Sequence, residues 1–144
     1  MKLFTIGFTK TSAEHFFDRL GKAGVKRLID VRLNNVSQLA GFAKRDDLKY
    51  FLKAICNIEY LHEPSLAPTK EMLDEYRKKA GDWQAYEARY LSLIESRKVE
   101  ARLGRERFED ACLLCSEDTA THCHRRLAAS YLKSRWGDID IVHL

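Results

Sequence analysis

The chain has 144 residues and a net charge of +4, and it is 45% hydrophobic, 10% aromatic and 32% charged. A chain of this size suits one compact domain over 1–144 that buries roughly 70% of its unfolded surface, and seven glycines with two prolines exclude collagen, a coiled coil and disorder. No apolar run approaches the ~20 residues of a membrane span, and MKLFTIGF runs straight into strand residues without the pattern of a signal peptide, so the expectation is a cytoplasmic protein with no membrane partner.

Lys2 to Gly7 reads as a strand ending in a glycine. Thr11, three residues before Glu14, has the spacing of a capping box that opens a helix. Phe16, Phe17, Leu20 and Ala23 mark the apolar face of that helix, and Gly24 closes it. Val25 to Val31 is a second strand with Asp30 and Arg32 at its C-terminal end. Strand, helix and strand in about 30 residues have the size of a βαβ unit.

A polar loop from Leu33 leads to Gly41 and Phe42, and Leu48, Phe51, Leu52 and Ile55 predict a second helix by their spacing. Ile58 to Leu61 is a short strand followed by His62-Glu63-Pro64, and Thr69 to Lys79 reads as helix. Trp83, Tyr86, Tyr90, Leu93, Ile94 and Ala101 predict one further helix ending near Gly104. Ala111 to Cys115 is a buried strand, Thr121 to Trp136 a helix, and Ile139 to Leu144 a last strand. Alternating strands and helices predict an α/β fold, a mainly parallel sheet of about five strands with helices on both faces.

Ligands of open parallel sheets bind beyond the carboxyl ends of the strands. Those ends supply Thr9 and Lys10, Asp30 and Arg32, His62 and Glu63, then Cys115, Glu117 and Thr121-His122-Cys123-His124-Arg125. With Thr121 as cap, Cys123 and His124 fall in the first helical turn, where free N–H groups favour a thiolate. Three of the four cysteines lie within twelve residues, too few for a disulfide scaffold and expected to be reduced.

Three chemistries fit this segment. Cys115, Cys123, His122 and His124 are zinc donors by type, but adjacent helical residues point in different directions. Cys112 and Cys115 match a C-x-x-C pair, yet on a strand they face opposite sides, and no metal is assigned. Anion recognition by Thr9, Lys10, Arg32, Ser37 and Arg125 at a helix opening is the second, against a simple pairing of Arg32 with Asp30 or Glu117. Thiol redox chemistry is the third, and it needs Cα atoms within about 7 Å.

Elsewhere, Trp83, Tyr86 and Tyr90 read as core or interface. The five basic and two acidic residues from Arg97 to Arg107 read as a solvated helical face, with nucleic-acid contact as the alternative.

Thr5-Ile6-Gly7, Asp30-Val31-Arg32 and Leu113-Leu114-Cys115-x-Glu117 followed by Cys123-His124-Arg125 resemble the family called domain of unknown function 488. Phe42 and Tyr60-x-His62-x-Pro64-x-Leu66 are similar to it as well. The chain departs from the family's usual residues at Phe8, Thr9, Asn35, Gln38 and Ala67. The resemblance implies a cytosolic α/β protein and assigns no activity.

The resulting expectation is a site that binds or processes a phosphate-bearing substrate, a nucleotide or nucleic acid. Arg32 and Arg125 would bind the anion with Thr9, Ser37 and Cys115, and Asp30 or Glu117 would orient them or act as base. His124 would move protons, and Cys123 would be a thiolate nucleophile or substrate contact. The competing expectations are a non-catalytic nucleic-acid or protein interaction module and a structural metal-binding domain. No cofactor and no oligomeric state follow from the sequence.

Overall fold

Five strands, β1 (Lys2–Ile6), β2 (Arg27–Asp30), β3 (Glu59–His62), β4 (Ala111–Leu114) and β5 (Asp140–His143), pair in parallel in the order β3-β2-β4-β1-β5. The structure, a computed structural model, describes residues 1–36, 40–78, 81–117 and 119–144. All four residues of β4 are buried, as expected of a central strand covered on both faces. The edge strands are mostly polar or half-buried, the ordinary way an edge is made unattractive to another sheet.

The chain moves from β1 to β2 to β3 across the sheet and then returns to β4 and β5. Right-handed crossovers in opposite directions put their helices on opposite faces. Helices α1 (Ala13–Ala23) and α2 (Arg45–Phe51) therefore share one face, with Phe16, Phe17, Leu20 and Leu48 packed on Phe4, Ile6, Leu28 and Cys112. On the other face, α4 (Trp83–Ser96) and α6 (His124–Trp136) pack Tyr90, Ile94, Leu127 and Leu132 on Leu3, Ile29, Ala111 and Leu113. Helix α3 (Lys70–Lys78) and the short α5 (Val99–Arg102) complete that layer. Among the described residues no helix is long and apolar enough to cross a membrane.

Several boundaries differ from the sequence expectation for physical reasons. The cap of α1 is Ser12, whose side chain accepts from the His15 N–H, one residue later than Thr11; Gly24 closes the helix at φ 76° as expected. The second helix widens after Phe51 into a π turn over Leu52–Cys56, which rotates Ile55 out to solvent. The helix from Trp83 stops at Ser96, because Lys98 takes a left-handed backbone at φ 53°.

That break also disposes of a single basic helical face over 97–107. Arg97 turns inward and donates to the carbonyls of Ser65 and Ala67 at 2.8 Å, and residues 105–108 form a 3-10 turn.

Candidate functional site at the strand ends

Register aligns the ends of three strands: Ile6 and Asp30 both lie opposite Leu114. Pairing continues one step beyond the sheet, since Cys115 N–H donates to Ile6 and Val31 N–H to Leu114. The loops after β1 and β2 turn toward α1 and α2, and the segment after β4 turns toward α6. Neighbouring loops that part in opposite directions open a crevice between them. That crevice is a cavity of about 580 Å³, lined among others by Arg32, Cys115, Glu117, Cys123 and His124.

The alternation of β4 sends Ala111 and Leu113 to the α6 face and Cys112 and Leu114 to the α1 face. Cys115 continues on the α6 side. The helix there begins at His124, and its cap is Cys123 rather than Thr121. Cys123 makes no side-chain cap hydrogen bond, so its sulfur stays free to face Cys115. Donor atoms of Cys115, Cys123 and His124 all lie within 4.8 Å of one another, and all three residues are buried.

His124 places Nδ1 3.5 Å from the Cys115 sulfur, and its Nε2–H donates to the Val31 carbonyl at 2.7 Å. His122, a candidate donor by sequence, is exposed and stacks on Trp83 at 5.0 Å between centroids. It is not part of the group.

These contacts push the two thiols in opposite directions, Cys115 down and Cys123 up. The Cys123 S–H beside Cys115 holds the Cys115 thiol well below its ordinary range, and His124 adds to this against the opposing effect of burial. Cys123 itself is pushed up, first by burial and then by its bond and proximity to Cys115. Burial pulls His124 down, but the Cys115 sulfur outweighs it and the imidazole sits above its ordinary value.

Arg32 and Asp30 form a buried bidentate pair, with Nε and Nη2 each 2.8 Å from a carboxylate oxygen. Tyr60, which sequence reasoning leaves without a role, donates its hydroxyl to Asp30 at 2.6 Å. Arg32 also lies over the Phe8 ring at 5.3 Å. The pairing alternative for Arg32 is thus realised, yet incompletely, because its Nη1 is buried without a partner among the described residues. Asp30 is fully buried, accepts four hydrogen bonds and orients Arg32; it does not line the cavity.

Arg125, unlike Arg32, is not among the residues that line the cavity. It is 1% exposed, and it donates Nη1 to the Glu117 carbonyl at 2.6 Å and Nε to the Thr5 hydroxyl at 3.3 Å. Its Nη1 also lies 3.7 Å from the Cys123 sulfur. Arg125 ties the loop after β4 to β1, and Gly7 makes that tie possible: a Cβ on Gly7 would overlap the Glu117 carbonyl. Thr9 is exposed and donates its hydroxyl to the Ser116 carbonyl, a loop clamp outside the cavity lining. Ser37 lies outside the described residues.

A match to the family model "Domain of unknown function DUF488" covers residues 12–132. The chain belongs to the DUF488 family. The matched segment contains Asp30, Arg32, Cys115, Glu117, Cys123, His124 and Arg125, while Thr5-Ile6-Gly7 precedes it. No curated protein and no solved structure matches the chain.

Sequence reasoning missed the outer wall of this DUF488 cavity. Lys70, Leu73, Tyr76 and Arg77 of α3 and Trp83 and Tyr86 of α4 line it. Their helical spacing pointed to a packed face, and part of that face is packed: Trp83 and Tyr86 stack at 5.3 Å. The available signal was polar, namely Lys70, Asp74 and Arg77 at helical spacing beside the aromatic stripe.

Proposed function

We propose that the cavity binds a phosphate-bearing small molecule, a nucleotide or nucleic-acid end, with the cysteine–histidine cluster facing its reactive part. The observation that carries this reading is the spare Nη1 of Arg32, buried and unpartnered on a residue of the cavity wall. A buried N–H without a partner costs about 1–3 kcal/mol. A phosphate oxygen that reaches it would supply the missing acceptor and add a charge-assisted bond in the planar geometry that a guanidinium favours.

Lys70 and Arg77 add cations on the same wall, opposed by Asp74 and Glu117. Tyr76, Trp83 and Tyr86 offer flat apolar surface of the kind that accommodates a ring. In this reading Arg32 holds the anion, Asp30 and Arg125 position the groups around it, and Glu117 is the accessible carboxylate. His124 and the two sulfurs contact the part of the ligand that reaches the floor.

Calorimetric titration with inorganic phosphate, a nucleoside and the matching nucleoside monophosphate tests the reading. The monophosphate is expected to bind more tightly than either part. Lys70→Ala with Arg77→Ala is expected to weaken it about tenfold, the equivalent of about 1.4 kcal/mol, without lowering Tm. Equal affinity for nucleoside and monophosphate, or no binding of any of the three, overturns it.

A further inference from the structure

We propose that Cys115, Cys123 and His124 form a three-ligand site for a zinc-class divalent cation, with a fourth position open to the cavity. The inference is independent of the phosphate reading and rests on donor type, spacing and support.

Two thiols and an imidazole are the donor set that borderline-soft cations prefer. Bond lengths of about 2.3 Å to sulfur and about 2.0–2.1 Å to nitrogen, at a tetrahedral angle, separate a sulfur from a nitrogen by roughly 3.6 Å. Cys115 Sγ and His124 Nδ1 stand 3.5 Å apart, and the whole group fits within 4.8 Å.

The surroundings suit ligation. The Nε2–H bond to Val31 fixes the ring and directs Nδ1 at the cluster, as outer-shell carbonyls do for ligating histidines. Arg125 Nη1, 3.7 Å from the Cys123 sulfur, is a fixed cationic donor beside the sulfur that would ligate. Cys123 caps its helix without using its side chain, so ligation sacrifices no capping bond.

Among the described residues the group ends at three ligands, and all three line the cavity. Closed structural sites use four protein donors, whereas sites that act on ligands keep one position for water or substrate. A cation here would set a Lewis-acidic centre on the cavity floor.

The test uses the full chain, reduced and stripped with a chelator, then titrated with Co²⁺ and Zn²⁺. One equivalent of cobalt is expected to give intense visible bands of a tetrahedral thiolate site, and zinc is expected to displace it and raise Tm. Cys115→Ser and Cys123→Ser should each abolish the bands, and Cys112→Ser should leave them intact. If a serine variant does not fold, X-ray absorption on the zinc-loaded wild type decides, with two sulfur and one nitrogen neighbours expected from the protein. Sub-stoichiometric binding, an octahedral cobalt spectrum, or bands that survive in Cys115→Ser overturn the site. Repeating the monophosphate titration on the stripped chain separates failure here from failure of the phosphate reading.

Discussion

Cys112 and Cys115 stand three residues apart on the same strand and its extension, and their surroundings differ completely. Cys112 lies on the α1 face among Phe4, Phe16, Leu28 and Leu114, and burial pushes its thiol well up, with Arg125 and Arg19 too weak to offset it. Cys115, equally buried, is driven the other way by the Cys123 S–H and by His124. Burial penalises charge in both places. The presence or absence of polar partners at the end of the sheet decides the direction, so depth alone is no guide to how a thiol is shifted.

The comparison can be broken at either end. The most severe test is Gly7→Ala, which forces a methyl group into the Glu117 carbonyl and to 2.8 Å from Arg125 Nη1. The expected loss is about 4 kcal/mol or more, the range of exceptional substitutions, read by denaturant unfolding; a loss below about 1 kcal/mol would mean the loop after β4 does not depend on β1. Asp30→Asn leaves Arg32 buried and without its counter-charge, for an expected loss of about 3–5 kcal/mol. Stability unchanged in that variant would show that the pair is dispensable.

On the apolar face, Cys112→Ser puts a hydroxyl where the surroundings are hydrocarbon, with an expected loss of about 1–3 kcal/mol. In the same experiment, mass spectrometry after brief alkylation should find Cys112 unmodified until the chain unfolds. Alkylation of native Cys112 as fast as that of half-buried Cys56 would erase the contrast.

The smallest effect expected is a pH slope from His143, whose Nδ1 lies 2.6 Å from the Thr5 hydroxyl. Burial first, and then Arg125 and Arg126, hold its imidazole below the ordinary 6.5. The folded state therefore binds that proton less readily than the unfolded chain. Stability contributed by the neutral ring is complete above about pH 6.5 and declines as pH falls toward the folded value. His143→Gln should flatten that decline in Tm measured against pH.

Much of the fold is legible in the chain because its signals are local. Ala-Cys-Leu-Leu before Cys115 reads as a strand buried on both sides, and the residues that follow β2 and β4 line the cavity. What sequence could not supply is set by tertiary contact. Thr121 is a better cap by type than Cys123, but the loop after β4 is spent on Arg125 and Gly7, which delays the helix by two residues. The gathering of two sulfurs and one imidazole depends on the seat of that ring, fixed from the far side by a Val31 carbonyl. The break at Lys98 has no glycine or proline to announce it.

One topological detail bears on biosynthesis. Strand β4 separates β2 from β1, so until β4 is synthesised the chain holds two strands that have no partner in each other. Such a nascent chain would hold an open slot the width of one strand. Only when residues 111–114 fill it do the three strand ends reach a common level, so the crevice above them should form late and all at once during synthesis.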